Sequence, residues 1–438
     1  MIDRRLGIRR GLGSLVVEVV FQDRFQALVG TDVESQSAVG GLPTRNWTSG
    51  AMAEERAALL SAPRLFDEFL RGADEGTQMK TGRDTCYSCA IRCKRVVQSE
   101  WEGRSIDPES GGPEYETTSV FGSYCDIDDL AAVSYANQLC NEYGVDTIGA
   151  GATMAFAIEC FERGVISAED TGGIELAWGN APAMIEMLEA TLRREGFGDV
   201  LAEGSARAAM AIGNGADACA VTVKGTELPA HMPEVKRSLA LIYAVNPFGA
   251  DHQSSEHDPS YEPETIETSP DKYGRRMANL GLTDPQDPTV LNPQKVEYAL
   301  KTQYAYSAMD TVNVCQFVYG PGWELMGMEE LADIVTAVTG VETTVDSLQV
   351  IGARRLNMLR AYNAREGMTR DHDTLPRRLF DEPLIGGMSD GVTVDEAEFE
   401  EALDEYHRQV GWDLDTGAPT RATLEGLGLE WIADEIGV

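Results

Sequence analysis

DTCYSCAIRCKR, residues 84–95, places three thiols, Cys86, Cys89 and Cys93, within eight residues at C-x2-C-x3-C spacing. A fourth, Cys315 in MDTVNVCQF (309–317), lies far downstream. Three thiolates from one short segment can fix three corners of a small inorganic core. A remote fourth closes the site and ties two distant parts of the fold together. All-thiolate ligation suits a [4Fe-4S] cluster or a structural zinc, and the spacing alone does not separate them. Unligated core cysteines are the bland third reading. The order is the reverse of the C-x3-C-x2-C of radical S-adenosylmethionine chemistry, which excludes that class.

A chain of 438 residues is long enough for two or three domains with a large core. Its formal charge is −36, and 29 Arg stand against 7 Lys. The acids are scattered rather than gathered in one tail, which fits the salt-rich cytosol of a halophile. Phosphate would meet a uniformly negative surface, so nucleic acid is excluded as a partner. In a long chain without a secretory signal, the eight cysteines are expected to be reduced. Cys125, Cys140, Cys160 and Cys219 lack ligand spacing and read as buried small apolar residues. The opening MIDRRLGIRRGLGSLVVEVVF has paired arginines before an apolar run, but Glu18 interrupts it and no small-residue cleavage site follows. No stretch reaches membrane-spanning length, and the expectation is a soluble, cytoplasmic protein.

Helical punctuation covers most of the chain. Asp128 or Asp129 can cap a helix running through Leu130, Val133, Ala136, Leu139 and Cys140 to a stop at Gly144. A second, rich in Gly and Ala at its start, is expected over about 147–164. Others fit 181–195, 199–211, 295–308, 328–338, 346–366 and 394–409. Strand-like runs are few, with 15–21 and 219–224 the best, so the fold class is mainly α. The stretch 253–294, with its repeated Pro, Ser, Asp and Thr, reads as a functional loop or an insertion, and as a lid over an entrance.

Acids and one histidine form a second layer. Glu114 and Glu116 follow Pro113 two residues apart and would face one side of an extended segment. The Gly/Pro-bracketed apolar setting would push Glu116 toward a useful general-base pKa. Asn141 to Asp146 and Asp310 to Cys315 are two similar pieces, each running between polar residues five positions apart. Asp at such turns can accept paired N–H bonds from an aminopyrimidinone edge, or can simply belong to an ordinary helix C-cap. His252, in NPFGADHQSSEHD, sits after a Gly-Ala turn, and His257 could pair with it on a metal despite poor helical spacing.

In order along the chain, GGLPTRNW (40–47), CYSCAIRCKR (86–95), GPEYET (112–117), NEYGVDTIGAG (141–151), REGFGDVLAEGS (194–205), ELPAHMP (227–233) and DTLPRRLFDEP (373–383) closely resemble the tungsten-containing aldehyde:ferredoxin oxidoreductases. The likeness runs from about Phe25 onward, and residues 1–24 do not match. It implies two helical domains like domains 2 and 3 of that family: 25–220 with the cysteine triplet and first pterin motif, and 221–438 with His252, the second pterin motif and the fourth cysteine.

The resemblance implies that Cys86, Cys89, Cys93 and Cys315 ligate a [4Fe-4S] cluster. Tungsten, or molybdenum, would be held by two pterins whose phosphates Mg²⁺ could bridge. Asp146 and Asp310 would bind the pterins, with Val145 in the apolar slot and Asn141 where the family usually has Asp. Asn313 stands in place of a usual Gly, a substitution that a left-handed turn tolerates. Glu116 matches the acid near tungsten and His252 the histidine near substrate.

The implied reaction oxidises an aldehyde to a carboxylic acid and passes single electrons to ferredoxin. Tyr135 and Ile185 replace ligands of an inter-subunit iron, so none is expected, and Phe248 replaces a basic phosphate-binding residue. The family's β-rich N-terminal domain is expected from a separate chain, and self-association into a homo-oligomer is left open. A truncated iron–sulfur remnant and a zinc-stapled helical interaction module are the alternative readings.

Overall fold

Strand is confined to three antiparallel ribbons of two strands each among the described residues (32–87, 89, 91–320, 322 and 326–438 of the computed structural model). The other regular elements are helical, so the mainly α class expected from the sequence is the observed one. The chain divides into two units, the first ending at Cys219 and the second beginning at Ala220. The expected strand at 15–21 and the unmatched segment 1–24 lie outside the described residues.

In the first unit, β1 (Arg83–Asp84) pairs with β2 (Lys94–Arg95), and β3 (Ser99–Trp101) pairs with β4 (Arg104–Ile106). Among the helices that follow are α1 (Tyr115–Phe121), α2 (Leu130–Tyr143), α3 (Thr147–Glu162) and α4 (Ala181–Arg193). Asp129, rather than Asp128, starts α2, since its Oδ1 accepts from Ala131 N at 3.0 Å and Ala132 N at 3.2 Å. Asp128 instead pairs with Arg56. Gly144 ends α2 with φ 69°, and Asp146 starts α3 two residues later. A Cβ on Gly151 would lie 2.5 Å from Val120 Cγ2, so the small residues early in α3 let α1 lie against it. The helix expected over 199–211 is two pieces, Gly198–Leu201 and Ser205–Ile212, because Gly204 takes φ 84° between them.

The second unit opens on β5 (Thr222–Val223) and β6 (Thr226–Glu227). These two residues are all that the described structure retains of the strand expected over 219–224. A helical turn at Ala216–Cys219 precedes them, and Lys224 and Gly225 turn the chain with φ 52° and 81°. Five longer helices carry the unit: α5 (Ser238–Val245), α6 (Pro293–Thr311), α7 (Met328–Thr339), α8 (Val345–Arg365) and α9 (Glu396–Val410). Tyr298, Ala305, Tyr306 and Met309 of α6 share one core with Leu331 of α7 and Leu348 of α8.

The stretch 253–294 corrects the expectation of a loop or lid. It is a chain of short helical turns, and its Tyr261, Met277, Leu280 and Leu282 belong to that same core. Tyr261 stacks on Tyr298 with ring centroids 5.0 Å apart. Four apolar anchors this widely spaced have no period, so a polar-looking stretch conceals a buried wall.

The backbones of α6 and α8 meet closely at Gly352, where a Cβ would sit 1.9 Å from the Tyr304 carbonyl oxygen. Backbone cannot yield as a side-chain tip can. Gly352→Ala is therefore expected to destabilise the unit by about 1–3 kcal/mol. The urea midpoint measures this, and an unchanged midpoint would show that the helices part without cost.

Asp373 anchors the other end of α8. Its two carboxylate oxygens accept from Arg360 Nη1 at 2.7 Å and Nη2 at 2.6 Å, and Lys224 Nζ lies 3.0 Å away. His407 Nε2 of α9 is 3.2 Å from the same carboxylate, and Arg360 lies over the Trp412 ring. Burial alone would raise the Asp373 pKa, but the His407 hydrogen bond and the charges of Lys224 and Arg360 outweigh it and hold the acid well below the usual carboxylate range.

Candidate functional site

Pairing of Arg83 with Arg95 and of Asp84 with Lys94 closes the cysteine triplet into the loop of the β1–β2 hairpin. Cys86 is exposed, and Cys89 and Cys93 are partly so. Cys89 N donates to Cys86 O at 3.0 Å, and Thr85 Oγ1 donates to Cys89 O at 2.6 Å, which coils the C-x2-C end into a turn. Arg92 takes φ 54°, and the Arg83 guanidinium donates to the Ile91 and Arg92 carbonyls. Burial lowers the Arg83 pKa and the Arg92 charge lowers it further, while Cys93 opposes both.

All eight cysteines are reduced, and they fall into two classes. Cys125, Cys140, Cys160 and Cys219 are fully buried. Burial pushes the Cys140 thiol up to about 12 and the Cys125 thiol higher still. The members with ligand spacing are the accessible ones. Cys315 is exposed in the second unit, immediately before the short helix Gln316–Tyr319. Three reduced, accessible thiols on one loop flanked by Arg83 and Arg92 fit an anionic thiolate-bound cluster.

The acid pair is not extended, contrary to the expectation. Glu114 precedes α1 and Glu116 lies in its first turn, so the two project from a helical start and do not share one face of a strand. Glu114 forms an ion pair with the buried Arg95, which ties α1 to the cysteine hairpin. Glu116 is partly exposed between the buried Tyr115 and Thr117.

Asn141, Val145 and Asp146 gather at the turn between α2 and α3, all exposed. Asn141 Nδ2 donates to Ser110 O at 3.1 Å and to Asn137 O at 3.1 Å. Asp146 Oδ2 accepts from Gly149 N at 2.6 Å, so this acid caps the start of α3 and not the end of a helix, as its plainer reading had it. In the second unit Asp310 lies at the end of α6, with Arg355 of α8 3.1 Å away. Burial raises the Asp310 pKa, against the pull of Arg355. Asn313 takes φ 57°, the left-handed turn that its side chain tolerates.

His252 joins a buried imidazole cluster. Its ring lies 4.7 Å from His231, nearly parallel at 25°, and 5.9 Å from His257. His257 Nε2 is 2.9 Å from the His252 carbonyl oxygen, so that nitrogen carries the proton and leaves Nδ1 as the ring's acceptor. Burial, then the Lys236 charge, pushes both His231 and His257 well below the ordinary imidazole range.

Several residues that hold this cluster escaped the sequence reading. Lys236 Nζ lies 2.9 Å from His231 Nδ1, and Tyr243 Oη donates to His231 O at 2.7 Å. The residues flanking His257 are both buried acids. Glu256 accepts from Gly322 N at 2.6 Å and Tyr306 Oη at 3.1 Å, and Asp258 accepts from Lys295 Nζ at 2.5 Å. The one available signal was ELPAHMP, whose histidine has a lysine, Lys236, five residues further on.

Accessible thiols on a cation-flanked hairpin, in a mainly helical chain, are a donor set of the kind that suits a metal or cluster. The chain belongs to the aldehyde ferredoxin oxidoreductase family: the model for "Aldehyde ferredoxin oxidoreductase, domains 2 & 3" matches residues 22–429. It is 34% identical over 348 residues to the tungsten-containing aldehyde ferredoxin oxidoreductase of Pyrococcus furiosus, covering 78% of this chain and 52% of that protein. Identity to the Pyrococcus abyssi protein of the same description is 33% over 396 residues, covering 89% of this chain and 58% of that one. The chain thus spans about half the length of the curated relatives it matches. Its fold is similar to a solved structure of the active site complex BamBC of benzoyl coenzyme A reductase with 1,5-dienoyl-CoA. That likeness has a TM-score of 0.70 at 22% identity and covers 94% of this chain and 60% of the other.

Proposed function

We propose that this chain is part of an oxidoreductase that converts aldehydes to carboxylic acids and passes the electrons to ferredoxin. The partition of the cysteines carries the reading: those with ligand spacing are accessible, and the four without it are buried. Cys86, Cys89, Cys93 and Cys315 would hold a [4Fe-4S] cluster, and Asn141, Val145, Asp146 and Asp310 would meet the pterins. When bound, the tungsten–bis-pterin centre supplies the two-electron oxidation and the cluster the single-electron exit. Aldehyde plus water gives carboxylic acid, two protons and two electrons, one electron for each of two ferredoxins.

Glu116 takes a proton from the attacking water, and His252 donates a hydrogen bond to the carbonyl oxygen. The acidic, arginine-biased composition fits work in a salt-rich cytosol.

Anaerobically isolated protein, with any chain that co-purifies, is expected to contain iron and tungsten and to reduce ferredoxin when given aldehyde. Cys93→Ser should lose most of the iron and the paramagnetic signal of the reduced cluster. Iron without tungsten would leave an iron–sulfur subunit, and zinc alone an interaction module. Full iron occupancy in Cys93→Ser would remove that residue from the ligand set.

A further inference from the structure

Two side chains behind His252 determine each other's protonation. Lys236 is 5% exposed and His231 2% exposed, and the lysine Nζ meets the imidazole Nδ1 at 2.9 Å. An ammonium has only donors, so Nδ1 must accept and the ring's proton must sit on Nε2. Tyr243 Oη fixes the backbone of the same residue by donating to His231 O. The His231 ring, so fixed, stacks on His252 at 4.7 Å and meets His257 edge-on at 4.4 Å.

We propose that Lys236 and His231 are a positioning pair for His252. The Lys236 ammonium locks His231 as its neutral Nε2–H tautomer, and that neutral ring provides the flat surface against which His252 is held. A second imidazolium at stacking distance would repel a proton on His252 and turn its ring. The lysine prevents this, because a cation beside Nδ1 disfavours protonation of His231. His257 closes the other side by donating from Nε2 to the His252 carbonyl oxygen, which fixes the backbone from which the His252 side chain projects. Neither Lys236 nor His231 is asked to touch substrate. The inference rests on the role of His252 proposed above.

The chain has five histidines, few enough for ¹⁵N-histidine labelling of the oxidised holoprotein to give assignable long-range ¹H–¹⁵N patterns. Wild-type His231 should show the Nε2–H pattern. Lys236→Met, similar in length but without donors, should lose it and lower kcat about tenfold with KM little changed. Lys236→Arg, which restores a donor and a charge, should recover both. Lys236→Leu, likewise without donors or charge, guards against a folding defect specific to Met and should behave as Met does.

A wild-type His231 pattern in Lys236→Met overturns the pairing. So does a lost pattern with unchanged kcat, or a loss that Arg cannot rescue. His252→Asn separates the two levels of argument. Normal turnover in that variant overturns the role of His252 and this inference with it. A dead His252→Asn beside a fully active Lys236→Met overturns the inference alone.

Discussion

Glu116→Gln is expected to lower aldehyde turnover by about 10²–10⁴-fold, the range lost when a positioned general base is removed. Glutamine matches the carboxylate in shape but cannot accept a proton at neutral pH. The local fold should survive the change, since Glu116 is partly exposed in the first turn of α1. The buried face of that helix is made by Tyr115, Thr117, Thr118, Ser119, Val120 and Phe121. Iron and tungsten contents should therefore match the wild type while kcat falls. Metal analysis and steady-state rates on one preparation measure both. Wild-type rates would remove Glu116 from the chemistry, and a loss of metal would make it a structural residue.

Asp373→Asn is expected to be the most destabilising of the substitutions considered, at about 3–5 kcal/mol. The acid is fully buried between Lys224 and Arg360, and both cations are themselves almost inaccessible. Removing its charge leaves two buried cations without a counter-charge. The same buried charge balance sets the acid limb of stability. The folded-state pKa of Asp373 is depressed, so its contribution is fully present above the unfolded carboxylate value of about 3.9. It is lost as pH falls from there through the lower folded value. Stability of the variant, read from urea midpoints at several pH values, should thus depend less on pH below about 4 than that of the wild type. Parallel curves would show that Asp373 is not the residue that titrates.

Local signals located the helices well where caps were explicit. Asp129, Gly144 and Asp146 punctuate α2 and α3 where an acid and a glycine are expected, because capping acts over one turn and is written in adjacent residues. The same local logic failed at Gly204, whose positive φ broke a run that looked periodic. It failed again at Glu114 and Glu116, where Pro113 suggested extension but an α-helix begins instead. In the stretch 253–294 the error was one of range. Tyr261 and Met277 are buried by α6 and its neighbours, partners that no local window contains.

By itself, the sequence determined the helical class, the division of the cysteines into spaced and unspaced sets, and the family, because each is written in short-range order: periodicity, caps and ordered motifs. Only the tertiary structure decided that Cys86, Cys89 and Cys93 ride on a hairpin closed by Arg83 and Arg95, and that His252 stands among His231, His257 and Lys236. Those arrangements depend on which side chains meet when water is excluded. The resulting proton positions and charge balances follow from three-dimensional proximity, which residue spacing does not encode.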